Sequence, residues 1–191
     1  MNRNLRLLFM DFPNSEFWNY SAQIWSLPEV ETLCLNLQNN HAINVNILLY
    51  CYWIGAKKCI LNEDDIQILL DTAQPWQTII APLRDSRKMM QQHLVAMPAN
   101  MRKQTVFNIN EMEINAEHMT QIALEKALNL ENITPYKNHN DIECSFNNVK
   151  IYLDSLENET TIDEITRQII ELHMAIFQDK EAVQVATMSC I

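Results

Sequence analysis

Residues 44–55 read NVNILLYCYWIG, in which Asn44 precedes an apolar run that is interrupted only by Asn46. Placed on a helical wheel, its large side chains cover nearly the whole circumference, and a helix that is apolar on all sides lies at the centre of a fold. Asn44 is a favoured residue for capping such a helix. Gly55 is well suited to end it in the left-handed conformation. We therefore expect a central helix over residues 45–54.

The composition of the whole chain favours helices. Among 191 residues there is one glycine, whereas hairpins and nucleotide-binding turns need several positions with positive φ. Ten methionines and many leucines, isoleucines and alanines favour helix. A hydrophobic fraction of 48% is enough for a sizeable core. The predicted fold is all-α, a single multi-helix orthogonal bundle around the central helix.

The segments before and after the central helix carry helix-opening signals. A helix over residues 16–25 is expected to begin after Ser15, and a helix over residues 28–38 to hold Pro28 in its first turn. A third follows Asn62, whose spacing from an acidic residue three positions later resembles a capping arrangement. Proline restricts a helix interior, so we expect Pro75 to break this helix and Pro82 to open another.

The second half of the chain has weaker patterns. Residues 99–115 show no clear period and are predicted to form a linker with a short turn, after which Asn115 caps a helix. For residues 142–156, helix and strand remain open, and a helix capped by Asp141 is preferred. Thr161 and the acidic residue three positions later resemble a capping box for an amphipathic helix. The last ten residues are expected to be a loose tail.

The net charge of −10 is unevenly distributed. Residues 1–105 hold nine basic and nine acidic residues and all four tryptophans, whereas residues 106–191 hold five basic and fifteen acidic residues. This asymmetry suggests a neutral, aromatic-rich helical core over residues 1–105 and an acidic helical region over residues 106–191 docked on it. An acidic surface repels nucleic acids and anionic membranes, so we expect neither as a partner.

The cysteines and the apolar runs indicate the compartment. Five cysteines without a CxxC pair, two of them inside apolar helical runs, favour a reducing cytoplasm. The apolar patch near the start of the sequence is too short for a signal peptide. No apolar run approaches the roughly 20 residues of a membrane span.

The helix expected after Pro82 is amphipathic and has a basic stripe beside its buried edge. Arg84, Arg87 and Lys88 recur there at helical spacing. Arginines in such positions keep their stems on the core and turn their guanidinium groups toward acceptors. Carbonyls at helix ends, Asp85, or the amides of Asn44 and Asn46 are candidate acceptors, in which case the stripe ties helices together. The other possibility is a site for an anion or a partner.

The order of these motifs resembles a known group of sequences. The blocks that carry the resemblance are Phe17-Trp18-x-x-Ser21, Pro28-x-Val30, Cys34-Leu35-x-Leu37-Gln38, Asn44-Val45-Asn46-x-Leu48-Leu49, Trp53-x-Gly55, Pro75-Trp76 and Pro82-Leu83-Arg84-x-x-Arg87. Over about residues 15–95 this string is similar to the proteobacterial proteins grouped as domain of unknown function 2390. The resemblance implies a small helical bacterial protein with a variable C-terminal region. It also implies an aspartate where this chain has Asn44, so an amide–arginine contact is expected in place of a carboxylate–arginine pair.

Two functions fit these observations. The leading interpretation is a protein–protein interaction or adaptor module, not an enzyme, whose stripe of Arg84, Arg87 and Lys88 binds an acidic partner. The alternative is a small-molecule binding protein or enzyme with a pocket for an anionic ligand, formed by the amide, tryptophan and arginine side chains of Asn44, Asn46, Trp53, Trp76, Arg84 and Arg87.

The sequence contains no strong catalytic or metal-binding pattern. None of the five histidines follows a glutamate by three residues, as a helical di-iron site would require, and no metal or other cofactor is expected. The acidic run at residues 63–65 fits the first turn of a helix better than an aspartate-rich magnesium motif. Cys59 stands beside Lys57 and Lys58, which would lower its pKa, but no histidine is placed to activate it.

Overall fold

A computed structural model describes residues 12–92, 96–133, 135, 140–156 and 162–190. Over these residues the fold is all-α, as predicted. The helices are α1 (Glu16–Trp25), α2 (Val30–His41), α3 (Val45–Ala56), α4 (Glu63–Gln91), α5 (Ala99–Ala127), α6 (Asp141–Asp154), α7 (Ile162–Phe177) and α8 (Lys180–Cys190), with a short 3₁₀ turn over Leu130–Asn132.

Helix α3 is the centre of the bundle, as its sequence predicts. Every residue from Val45 to Gly55 is buried, and Trp53 is only 4% exposed. The side-chain oxygen of Asn44 accepts from the backbone N–H groups of Asn46 and Ile47, so the predicted cap is confirmed. The main hydrophobic cluster surrounds α3 with side chains from α1, α2, α4, α5, α6 and α7.

The predicted role of Gly55 is wrong. Helix α3 continues through Ala56, Gly55 has no positive φ, and the left-handed residue after the helix is Lys58 (φ 57°). Gly55 is needed for a close approach instead. A Cβ built on it would lie 2.1 Å from Oγ and 2.7 Å from Cα of Ser145, so the backbones of α3 and α6 meet where the side chain is missing.

Two buried side chains on α6 fasten that helix to α3. The Asn148 amide donates to the carbonyls of Cys51 (3.2 Å) and Cys59 (3.0 Å), and its oxygen accepts from the Leu61 N–H (2.8 Å). The Tyr152 hydroxyl accepts from the Asn44 N–H at 2.9 Å. Because both residues are fully buried, these bonds satisfy backbone groups that solvent cannot reach.

The expectation that Pro75 breaks α4 and Pro82 opens a new helix is wrong. Helix α4 is continuous and contains both prolines. The two prolines are seven residues apart and both exposed. Each lacks the N–H that would donate to the carbonyl four residues earlier, and on the exposed side of a helix water can take the place of that donor. The predicted cap at Asn62 is confirmed, with a reciprocal capping box to Asp65.

Other helix boundaries also differ from the sequence predictions. The expected linker over residues 99–115 is part of α5, and Asn115 lies inside that helix. Helix α6 confirms the preference for a helix at residues 142–156, although its cap is Asn140 and not Asp141. The expected loose tail is largely helix α8, in which Val183 is fully buried. At the other end of the chain, Pro28 precedes α2 in a turn with a left-handed residue.

The sequence also predicts a capping box at Thr161 and a division of the chain at residue 105. The capping box at Thr161 lies outside the described residues. The division at residue 105 stays a prediction; helix α5 runs through this point, and the main cluster includes Val149, Tyr152 and Ile165 from the acidic part of the chain.

Helix α7 buries an ionisable side chain against α3 and α6. His173 is fully buried, its Nδ1 lies 2.9 Å from the Tyr52 hydroxyl and 2.8 Å from the Ile169 carbonyl, and its ring stacks on Phe146 at 3.7 Å. Nε2 has no hydrogen-bond partner. Burial lowers the pKa of His173 to about 4, because the charged form would lose its hydration.

Acidification should therefore destabilise the protein through His173. The folded pKa lies below the ordinary value of about 6.5, so between these two values the unfolded chain binds a proton that the fold excludes. Stability is retained above about pH 6.5 and should fall by about 2 kcal/mol on going to pH 5. Urea denaturation above pH 6.5 and at pH 5 measures the loss in the free energy of unfolding. His173→Gln should lose less stability than the wild type over the same interval; equal losses would contradict this assignment.

Candidate functional site

Helices α4 and α5 form a long hairpin whose far half has little buried surface. They have their most extensive contact with each other. The last buried residue of α4 is Ile80, and the first of α5 is Glu113. Between them, none of the described side chains of residues 81–92 and 99–112 is buried. We call these two segments the arm.

An ion-pair cluster of Arg84, Arg87, Glu113 and Glu117 joins the two helices at the base of the arm. Arg87 binds both carboxylate oxygens of Glu113, from Nε at 2.7 Å and from Nη2 at 3.2 Å. Arg84 bridges two glutamates: Nε donates to Glu113 at 3.1 Å, and Nη2 donates to Glu117 at 2.9 Å. The arginines are three residues apart and the glutamates four, which places each pair on one face of its helix.

Burial and ion pairing shift the pKa of each of the two glutamates in opposite directions. Burial tends to raise the pKa of Glu113, but the hydrogen bonds from Arg87 and Arg84 outweigh it and the pKa is lowered. The pKa of Glu117 is raised, because its burial outweighs the donors from Asn46 and Arg84. The hydrogen bonds to Glu113 also raise the pKa of Arg87. Glu113 is therefore the ionised centre of the cluster.

The cluster continues to the first turn of α3. The Asn46 amide donates to Glu117, and its oxygen accepts from the Gln121 amide at 2.9 Å. Asn46 is the one polar side chain of the apolar central run, and it is 5% exposed. A buried amide needs partners, so this bond fixes the base of the hairpin against the core.

The structure brings together some of the predicted site residues. Asn46, Arg84 and Arg87 meet through the two glutamates. The Lys88 ammonium instead lies 3.1 Å from the Asn39 side-chain oxygen. The expected contact of Asn44 with Arg84 or Arg87 is not formed, because the Asn44 side-chain oxygen caps α3 and these two guanidinium groups bind Glu113 and Glu117.

The two predicted tryptophans do not share one site with these groups. Trp53 lies about two turns along α3 from Asn46. It packs on Phe17 and Tyr50, with the Lys57 ammonium 4.9 Å from its ring centroid. Trp76 is half-buried on α4, about two turns before Arg84.

Sequence reasoning missed Glu113, Glu117 and Gln121. Their spacing of four residues along one helix face was the available signal, and it was hidden because the first of them fell in the expected linker. Once α5 is continuous, a doubly acidic face stands opposite the doubly basic face of α4.

The cysteines whose side chains the structure describes show no sign of nucleophilic activation. Burial raises the pKa of Cys34 to about 12 and that of Cys144 to about 11. Burial also raises the pKa of Cys59, although Lys57 opposes the shift. The thiol is thus the dominant form of each at neutral pH. Among the described residues, no group of three or more His, Cys, Asp or Glu side chains is placed to hold a metal ion.

The exposed apolar side chains are concentrated on the hairpin. Seven of the nine large hydrophobic residues exposed among the described ones lie on α4 or α5: Ile68, Ile79, Met89, Met101, Phe107, Met112 and Ile114. The arm is also the basic part of an acidic chain. Residues 81–112 hold five basic and two acidic residues, whereas the rest of the chain holds nine basic and twenty-two acidic residues.

Comparison with known proteins identifies a family. Neither the curated proteins nor the solved structures give a match. Among the described helices, none has both the length and the apolar composition needed to cross a membrane. The profile of a family described as protein of unknown function (DUF2390) matches residues 16–124, which include α1 to α4 and most of α5 with its ion-pair cluster. Since this match covers more than half of the sequence, the chain belongs to the DUF2390 family.

Proposed function

We propose that this protein is an interaction module that binds an acidic, amphipathic helix of another protein through the arm. The observation that carries the proposal is the exposure of large apolar side chains where the hairpin has no buried residue. Met101 is 55% exposed, Phe107 49% and Met112 56%. Exposed apolar surface of this kind, grouped in one element, is typical of protein-binding sites.

The amino acids of the arm suit a helical partner. Five of the ten methionines lie between Met89 and Met112, and methionine adapts its shape to different apolar partners. Lys103, Phe107 and Ile114 follow one another at positions i, i+4 and i+11 of α5, on one face of the helix. All three are exposed. A helix laid against this face would place its apolar side chains on Phe107 and Ile114.

The charge of the arm argues for an acidic partner. The guanidinium groups of Arg84 and Arg87 are already bound by glutamates, but the arm retains a local excess of basic residues, including the exposed Lys103. A partner helix with carboxylates along the edges of its apolar stripe would be attracted to the arm and repelled by the rest of this acidic chain. That contrast favours the arm over any other surface for such a partner.

Binding of a designed peptide tests the proposal. The probe is a labelled helix with leucines on one face and glutamates on the other, and fluorescence anisotropy gives its affinity. Phe107→Ser/Ile114→Ser should weaken binding at least about tenfold, and Lys103→Glu by about threefold, because these three residues share the face on which the partner would lie. Val185→Ser is the matched control, because Val185 is 60% exposed on α8. It should bind as the wild type does.

Several outcomes would reject the proposal. The first is that the acidic peptide shows no measurable binding. The second is that a version with glutamines in place of the glutamates binds with equal affinity, and the third is that the double variant binds as the wild type does. Because the substituted residues are exposed, the variants should keep the wild-type unfolding midpoint. The midpoint therefore separates a loss of binding from a loss of fold.

A further inference from the structure

The side of α4 that faces away from α5 forms a second exposed apolar surface. We call it the outer face of α4. Its exposed apolar residues recur at spacings of seven, four, three and seven, which keeps them on one side of the helix: Ile68, Pro75, Ile79, Pro82 and Met89. The twelve residues 72–83 contain no charged side chain. An exposed stretch of about three turns without a charge is unusual for a solvated helix face.

The two prolines give this face backbone acceptors as well. Proline has no N–H, so the carbonyls of Asp71 and Thr78 cannot receive the usual hydrogen bond from the residue four positions later. Both prolines are exposed, and Asp71 and Thr78 are exposed as well, so donors from a partner have access to this side of the helix.

Carboxylates line the same side of the helix. Asp64, Asp71 and Asp85 are exposed and separated by seven and fourteen residues, which places them in one row along the outer face. The three basic residues of α4 lie elsewhere on the helix, since Arg84 and Arg87 bind glutamates of α5 and Lys88 contacts α2 at Asn39. The outer face thus combines apolar side chains with hydrogen-bond acceptors of negative or partly negative charge.

We propose that the outer face of α4 docks a basic, amphipathic helix from a protein other than the one that binds the arm. The apolar stripe of such a helix would cover Ile79 and the two prolines. Its lysines and arginines would donate to the aspartates and to the carbonyls of Asp71 and Thr78, because these are the donors that match acceptors of this sign. A second copy of this chain fits less well, since its own outer face would bring a second row of aspartates. The arm and the outer face would then recruit partners of opposite charge, as an adaptor does.

The prolines provide a test that does not risk the fold. Pro75→Ala/Pro82→Ala restores both N–H groups, closes the two carbonyls into the helix, and should unfold no more easily than the wild type. A labelled amphipathic helix of leucines and lysines is the probe. We expect this variant, and separately Asp71→Asn/Asp85→Asn, to weaken its binding about fivefold each. Asp154→Asn/Glu171→Gln, which removes two exposed carboxylates elsewhere, is the matched control and should change the affinity less than twofold.

The outer face shares Pro82, Asp85 and Met89 with the arm, but the two partners would contact different helices, since the partner of the arm lies on Phe107 and Ile114 of α5. Phe107→Ser/Ile114→Ser should leave the affinity for the basic peptide unchanged, and the aspartate variant should not weaken binding of the acidic peptide. Equal losses in the aspartate variant and its control would show attraction by net charge alone and would overturn the proposal. So would unchanged binding in the proline variant, or self-association through α4 detected by light scattering and abolished by Ile79→Ser.

Discussion

Gly55→Ala should destabilise the protein by about 4 kcal/mol or more, the largest effect we expect from a single methyl group in this chain. The added Cβ would lie 2.1 Å from Oγ and 2.7 Å from both Cα and N of Ser145. The side chain of Ser145 is fully buried, and turning its hydroxyl away would not relieve the contacts with Cα and N. Relief therefore requires α3 and α6 to separate, which opens the main cluster. Urea denaturation followed by circular dichroism measures the effect.

The sign of this result distinguishes packing from helix propensity. In a helix interior, alanine is more favourable than glycine by about 1 kcal/mol, so propensity alone predicts stabilisation. The matched control is Ala56→Gly at the neighbouring exposed position, which should cost about 1 kcal/mol or less. Ser145→Gly should not rescue Gly55→Ala, because the contacts with backbone Cα and N remain. A stabilised Gly55→Ala protein would contradict the close approach.

The centre of this fold could be predicted from the sequence because burial on all sides leaves a clear pattern. Helix α3 needs apolar residues around its whole circumference, and its cap at Asn44 is a local signal. Helices α4 and α5 could not be delimited in the same way. Pro75 and Pro82 are strong local signals against a helix, but contact with α5 along the hairpin holds α4 together across both.

The candidate site was predicted in part for a related reason. The basic stripe is visible because Arg84 and Arg87 stand out in a segment with clear periodicity. The glutamates that pair with them could not be recognised in the sequence, because Glu113 lies in a stretch of α5 where the exposed arm leaves no apolar period. Long-range pairing of this kind leaves no trace in local patterns. It emerges only when both helices are known to be continuous and packed together.

Glu113→Gln should destabilise the protein by about 3 kcal/mol, since removing one partner of a buried ion pair leaves charges that lack compensation. Glu113 is 8% exposed and accepts three hydrogen bonds from Arg84 and Arg87. Glutamine retains the shape but removes the negative charge that both guanidinium groups share. Glu111→Gln is the matched control, because Glu111 is exposed on the same helix, and it should change stability by less than about 0.5 kcal/mol.

The change at Glu113 should act first on the arm. Residues 99–112 have no buried described side chain of their own, so the ion-pair cluster is what joins their helix to α4 at the base. Amide hydrogen exchange in this segment should accelerate more than exchange in α3, because the arm opens before the core does. Equal acceleration in both would show that the cluster serves the whole fold rather than the arm.

Replacing the whole cluster separates the charge from the shape. Arg84→Met/Arg87→Met/Glu113→Leu/Glu117→Gln removes all four charges together and keeps an acceptor for the Asn46 amide, and such neutral substitutions of buried ion pairs are often neutral or stabilising. We expect this variant to recover most of the stability lost in Glu113→Gln, as measured by urea denaturation. Recovery of stability with unchanged binding of the acidic peptide would mean that the arginines only join two helices. Recovery with weaker binding would mean that the guanidinium groups also contribute to the positive charge by which the arm attracts its partner.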